Sequence, residues 1–268
     1  MPSRAVIVAF VASAATLLAG CQVFGQDEPA IDRWDGLLSD LRFQWSAEPG
    51  IDLLTEPAVP VRAYLESRWL AQSTGNLDYA YPGFTGAVPE EPPDADEPLR
   101  PNTNHQLSRA LVGNSHRHIL ALDRANDTVT ATVCVYNYTV AAETDGGEFE
   151  SVARGRTEPR GTNVERVLLS APPEGRFNLP PQAGFSPAPS TDVFGAWTIT
   201  GDLGIAGNRT RAEQWPTFDA DRALFAAAAP DSAERQAFLL DGTHPGAQFP
   251  TSPAQPGWPD DAGAEGPA

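Results

Sequence analysis

Proline sets the first limit on what this chain can fold into. The sequence holds 26 prolines and 23 glycines, and they cluster. Proline lacks an amide N–H and fixes φ, so it breaks helix interiors and central strands. Residues 86–104 read GAVPEEPPDADEPLRPNTN, with prolines at 89, 92, 93, 98 and 101 and acids at 90, 91, 94, 96 and 97. Such a stretch cannot hold regular structure and reads as an acidic loop. Prolines 172, 173, 180, 181, 187 and 189 mark a second insertion, at 171–192. From Asp241 onward, six prolines and five glycines predict an extended tail over 241–268, laid on the domain by Phe249 and Trp258. Regular elements are thereby confined to one domain over 31–240.

The remaining intervals carry periodicity. Ile31, Trp34, Leu37, Leu38 and Leu41 recur at helical spacing and predict an amphipathic helix between Ile31 and Trp45. Val61, Tyr64, Leu65 and Trp69 predict a second helix, entered after Pro57 and stopped by Gly75. Residues 117–141 read as a hairpin turning at Arg124–Asp127. Along Thr128–Val140, Val129, Ala131, Val133 and Val135 share one face, and Cys134, Tyr136, Tyr138 and Val140 the other. Both faces are partly apolar, as in a central strand covered on two sides. Asn163–Ser170 and Phe194–Thr200 read as third and fourth strands. Asp219 and Ser232 can cap two short helices, RALFAAAA and AERQAFLL. The order predicts an α+β fold, with N-terminal helices on the concave face of a curved antiparallel sheet of about four strands. It is similar to the cystatin-like or NTF2-like cone. No helical pattern separates the strands, so a parallel sheet is not expected.

Residues 1–21 read MPSRAVIVAFVASAATLLAGC, with Arg4 the only charge. The run Ala5–Leu18 is short for a bilayer span and suits the h-region of a secretory signal. Leu18-Ala19-Gly20-Cys21 resembles the bacterial lipobox. That resemblance implies a signal peptide over 1–20, with peptidase recognition through Leu18, Ala19 and Gly20. It also implies a diacylglyceryl group on the Cys21 thiol and a membrane spacer over 21–30. Two acyl chains suffice for stable anchoring, at ~0.8 kcal/mol per buried CH₂. The formal charge is −17, and all 18 basic residues are arginine. A basic face for nucleic acid is missing, and so is the polybasic patch that would hold anionic lipid. The lipid alone has to hold the chain.

Chemical motifs are sparse. With Cys21 assigned to lipid, Cys134 stands alone, without an intramolecular partner and without the basic neighbours of a nucleophile. His116-x-His118 places two imidazoles on one strand face, but a metal site needs further ligands and only Asp123 lies nearby. HExxH, CxxC, GxSxG and glycine-rich phosphate loops do not occur. No metal, no cofactor and no catalytic residue are expected. Asp94, Asp96, Glu97, Asp260 and Asp261 lack EF-hand spacing and read as solvated. Trp69, Tyr79, Tyr81, Phe84 and Trp197 read as core residues by default, or as the mouth of a cone-shaped pocket for an apolar ligand.

SAEPGIDLLTEPAVPVRAYLESRW (46–69), YPGF (81–84) and VFGAWTITG (193–201) resemble a family of uncharacterised mycobacterial and actinobacterial lipoproteins. The resemblance covers most of the chain beyond Cys21. It implies attachment to the outer face of the cytoplasmic membrane and carries no activity with it. Some relatives hold a second cysteine near the Ala-rich helix; here 223–229 read ALFAAAA, which puts a disulfide to Cys134 in doubt. The first functional expectation is a non-catalytic envelope lipoprotein binding a protein or an apolar ligand. The second is an NTF2-like enzyme using a pocket His or Asp as acid–base, with His116 or His118 foremost. The third is a passive surface protein.

Overall fold

The computed structural model describes residues 32–90, 98–154, 161–172, 179–204 and 215–260, all within one unit over Ile31–Ala268. The lipobox, the spacer and the acids at 94, 96, 97 and 261 lie outside these residues. In chain order the elements are β1 (Asp40–Ala47), α1 (Ala58–Thr74), α2 (Phe84–Ala87), β2 (Leu111–Ala125), β3 (Thr128–Tyr136), β4 (Val140–Glu143), β5 (Phe149–Ser151), β6 (Thr162–Ser170), β7 (Thr198–Leu203), α3 (Phe218–Ala227) and α4 (Ala233–Leu240). The fold is α+β with a mostly antiparallel sheet of seven strands, not four.

The expected first helix is not formed. Gly36–Leu38 makes one 3₁₀ turn, and β1 follows. Leu41, Phe43 and Trp45 are buried, while Asp40 and Ser46 are exposed. This period of two fits a strand as well as the wider spacing fitted a helix, and tertiary burial decides between them. The outcome also overturns the expectation of an all-antiparallel sheet. β1 pairs parallel with β2, from Asp40↔Val112 to Ala47↔Ile119, and α1 is part of the crossover between them. The second helix forms as α1, closed by Gly75 in the left-handed conformation at φ 67°. Every residue from Ala58 to Ser67 is buried, so α1 is a core helix rather than an amphipathic surface one.

β2 organises the sheet. Its residues Val112–Ile119 pair β1 on one edge. On the other edge Leu111–Gly113 pair β4 and His116–Ala125 pair β3. β3 and β4 are therefore one strand path, broken at Asn137–Thr139. The break inverts the face: Val140 joins the cluster of Val133 and Val135, while Ala141 joins that of Cys134 and Tyr136. Gly113, at φ 100°, sits opposite the break, where a Cβ would run into the Thr139 carbonyl. The β2–β3 turn uses Asn126 at φ 55°, a conformation asparagine tolerates. β6 pairs β3, β7 pairs β6, and β5 pairs β4. β7 starts four residues later than expected, because Phe194 and Trp197 turn into the core instead of pairing.

Both faces of the sheet are covered. α1 shares a core with Leu111, Ile119, Val133, Val167 and Ile199. On the other face Cys134, Tyr136 and Val164 meet Trp215, Phe225 of α3, Leu239 and Leu240 of α4, and Phe249. The helices are thus split between two faces rather than gathered on one. The tail runs along β1: Trp45 N–H donates to the Gln255 carbonyl at 2.6 Å, and Gln255 N–H to that of Phe43 at 3.3 Å. This covers an edge that would otherwise template aggregation.

Cys134 is free and fully buried, and burial pushes its thiol up to about 12. A raised thiol pKa keeps the group neutral at pH 8, and unfolding returns it to the ordinary range. Ellman's reagent at pH 8 should therefore leave Cys134 of Cys21→Ser protein unmodified. In guanidinium the same thiol should react fully.

Candidate functional site

The most concentrated polar chemistry lies under α1, around the carboxyl group of Glu66. Glu66 is 1% exposed. Trp45 Nε1 donates to its Oε1 at 2.6 Å. The Tyr81 hydroxyl donates to Oε2 at 2.6 Å, and Trp258 Nε1 to the same oxygen at 3.1 Å. An indole N–H can only donate, so both oxygens act as acceptors, as a carboxylate requires. Burial pushes the Glu66 pKa up, and Arg62, the Tyr81 and Trp258 donors and Arg117 pull it back. Burial and the neighbouring Glu66 hold the Tyr81 hydroxyl well above its ordinary value, so it remains a donor.

Arg62, one turn before Glu66, is also sealed from solvent. It donates to the Leu53 carbonyl at 2.9 Å and the Pro256 carbonyl at 2.8 Å, and its guanidinium lies 4.2 Å from the centroid of the Trp258 ring. One carboxylate and one guanidinium thus join β1, α1, the turn at Tyr81 and the C-terminal tail.

The network continues across the sheet. Arg117 of β2 is 3% exposed and lies over the rings of Phe43 and Trp45, 4.8 and 5.6 Å from their centroids. It faces Glu165 of β6 and, more weakly, Glu66. Burial and Asp202 push the Glu165 pKa up, against Arg117, Arg68 and a hydrogen bond from Asn163. Asp202 of β7 accepts from the Tyr64 hydroxyl at 2.9 Å and pairs with Arg68 at 3.4 Å. Three arginines, Arg62, Arg68 and Arg117, thus meet three carboxyl groups, Glu66, Glu165 and Asp202. The Glu66 end is closed; at the other end Glu165 is half-buried and the Arg68 side chain is 29% exposed.

The aromatic residues expected at a pocket mouth take part in packing around this network. Tyr81 bonds Glu66 and meets Trp258 edge-on. Phe84 stacks on Tyr64 and meets Phe194 edge-on. Trp69, half-buried, meets Phe43 edge-on, and Trp197 is 4% exposed with Arg124 over its ring. Tyr79 is half-buried beside the same core.

His116 and His118 share one strand face, as their spacing dictates, but it is the face opposite α1. They sit in mid-strand and half-buried. Burial lowers the His116 pKa, opposed by Asp231 from the α3–α4 connection. His118 Nδ1 lies 2.8 Å from Ser46 Oγ, and its Nε2 lies 3.3 Å from Glu48 Oε1. Asp123 is exposed near the far end of β2, and no group of three or more His, Cys, Asp or Glu converges for a metal among the described residues. Glu66, Arg62 and Arg117 were not anticipated as a centre. Their one signal is position: Arg62 and Glu66 share the helical row of Val59, Ala63 and Leu70, whose other members are apolar. No protein family, curated protein or solved structure matches this chain.

Removing one partner of a buried charged set leaves the others unpaired, at about 3–5 kcal/mol. Glu66→Ala should lose about that much in urea denaturation. Trp258→Phe removes a single bond to a charged acceptor and should lose about 1.5–3 kcal/mol.

Proposed function

We propose that this chain is an envelope lipoprotein anchored through lipid on Cys21 to the outer face of the cytoplasmic membrane. Its folded part is a non-catalytic binding or accessory module for a protein or an apolar ligand. The observation that carries this reading is the sequence Leu18-Ala19-Gly20-Cys21, closing the apolar run Ala5–Leu18. No helix among the described residues is long and apolar enough to cross a membrane, so none of them offers a competing span. The cystatin-like or NTF2-like cone belongs to the same proposal. α1 lying on one face of antiparallel strands supports it, and the parallel β1–β2 pair argues against it. In the producing bacterium, radiolabelled palmitate should enter the wild-type protein and not Cys21→Ala. The substituted protein should leave the membrane fraction. Equal labelling of both would refute the anchor.

One observation favours an enzyme instead. Ser46, His118 and Glu48 form a hydrogen-bonded relay in which His118 can accept from the serine hydroxyl and donate to the carboxylate. Ser46 and Glu48 are exposed, and the relay lies across the sheet from the Glu66 network. The binding reading predicts that a fluorophosphonate leaves Ser46 unmodified. An adduct at Ser46, abolished by His118→Ala, would move the assignment to acyl-transfer chemistry.

A further inference from the structure

The second proline-rich insertion presents a phenyl ring to solvent. Phe185 is 91% exposed, against 41–59% for Leu37, Phe238 and Leu224, the other large apolar side chains left outside among the described residues. A single exposed apolar residue is ordinary in itself, but the loop under this one is firmly held. Ser186 N–H donates to the Trp258 carbonyl at 3.0 Å, and Trp258 N–H to the Ser186 carbonyl at 2.8 Å. Ser186 Oγ donates to the Ala188 carbonyl at 2.6 Å. The two backbones run so close that a Cβ on Gly184 would meet the Trp258 carbonyl, and one on Gly257 the Gly184 carbonyl. Trp258 is held in turn by Glu66. The backbone on both sides of Phe185 is therefore fixed to the core, while the ring is left outside it.

Position and charge say what covers the ring. Two residues on, the Pro187 carbonyl accepts from Trp34 Nε1 at 3.0 Å. Trp34 is the first buried residue of the described chain and stands thirteen residues after Cys21. A chain of that length spans at most about 45 Å. Phe185 thus lies beside the point where the chain coming from Cys21 enters the fold. Leu224 and Phe238 belong to α3 and α4, which cover the sheet face opposite α1. From Leu179 to Thr191 the loop reads LPPQAGFSPAPST, without a charge, in a chain where one residue in five is charged. In so acidic a chain, an uncharged loop is the part that meets anionic headgroups without repulsion.

We propose that Phe185 inserts its ring into the headgroup–acyl boundary of the bilayer that holds Cys21, as a second, non-covalent membrane contact. The inference rests on the lipid anchor. Burying a phenyl ring favours an equilibrium by about 10- to 100-fold, too little to bring an untethered chain to a bilayer. The anchor removes that shortfall, because a short tether holds the loop at an effective concentration of about millimolar order. Two contacts, unlike one, restrict how the domain turns above the membrane.

The lipidated full chain in phosphatidylcholine vesicles with a minor share of phosphatidylglycerol tests it. A nitroxide is attached at Ala183→Cys, exposed beside Phe185; Cys134 is buried and stays unlabelled. Power-saturation EPR then compares contact with oxygen, which concentrates in lipid, and with a water-soluble nickel chelate. The label at 183 should favour oxygen, and Phe185→Asp should reverse that order. Phe185 is exposed, so its substitution does not put the fold at risk. A label at Asp123→Cys, exposed near the far end of β2, should favour nickel in both proteins. Vesicle-bound protein with equal nickel contact at 183 and 123, or with a label at 183 indifferent to Phe185→Asp, would overturn the insertion and leave the anchor in place. A chain that does not float with the vesicles would refute the anchor and the insertion together.

Discussion

A single buried carboxylate joins the two ends of the described chain. Glu66 takes hydrogen bonds from Trp45 in the first strand and Trp258 in the tail, with Tyr81 between them in sequence. Its neighbour Arg62 grips the tail backbone at Pro256. A charge this deep is tolerated only with its donors in place. The requirement runs in both directions: the donors hold the carboxylate, and the carboxylate fixes where β1, α1 and the tail sit. The tail then serves as structure. It covers the open edge of β1 and pairs Ser186 with Trp258, tying down the second proline-rich insertion.

What could be read from the sequence followed from local chemistry. The α1 stop at Gly75, the Asn126 turn, the two-faced β3 and the Ser232 cap all depend on a few adjacent residues. The segment around Leu38–Trp45 did not yield, because its apolar residues satisfy a helical and an alternating pattern at once. Partnership with β2, some seventy residues away, resolves it. The strand count failed for a related reason. The break at Asn137–Thr139 shows only in pairing, and β5 is three residues long. The buried network was the least legible feature. Arg62, Glu66 and Arg117 look like ordinary surface charges until the fold encloses them, although an arginine and a glutamate within the apolar run of α1 were a usable sign.

The interior also redirects the functional reading. A cone lined by aromatics would suit an apolar ligand, but Tyr81, Phe84 and Trp197 are committed to packing and to Glu66. The buried polar atoms without hydrogen-bond partners are spread over the interior, from Arg62 Nε beside Glu66 to Arg117 Nε, Asn163 Oδ1 and Asp202 Oδ1. The histidines, on the opposite face, belong to a separate question, set by the Ser46–His118–Glu48 relay.

The central claim is that Glu66 makes the tail and the core one cooperative unit. Native-state hydrogen exchange of the indole N–H groups of Trp45 and Trp258 tests it most directly. Both protons are buried against Glu66, so both should exchange only through global unfolding. They should then share the free energy and denaturant dependence of the slowest β3 amides. Exchange of the Trp258 indole at a much lower free energy, insensitive to denaturant, would mean that the tail detaches by itself, and would contradict the account.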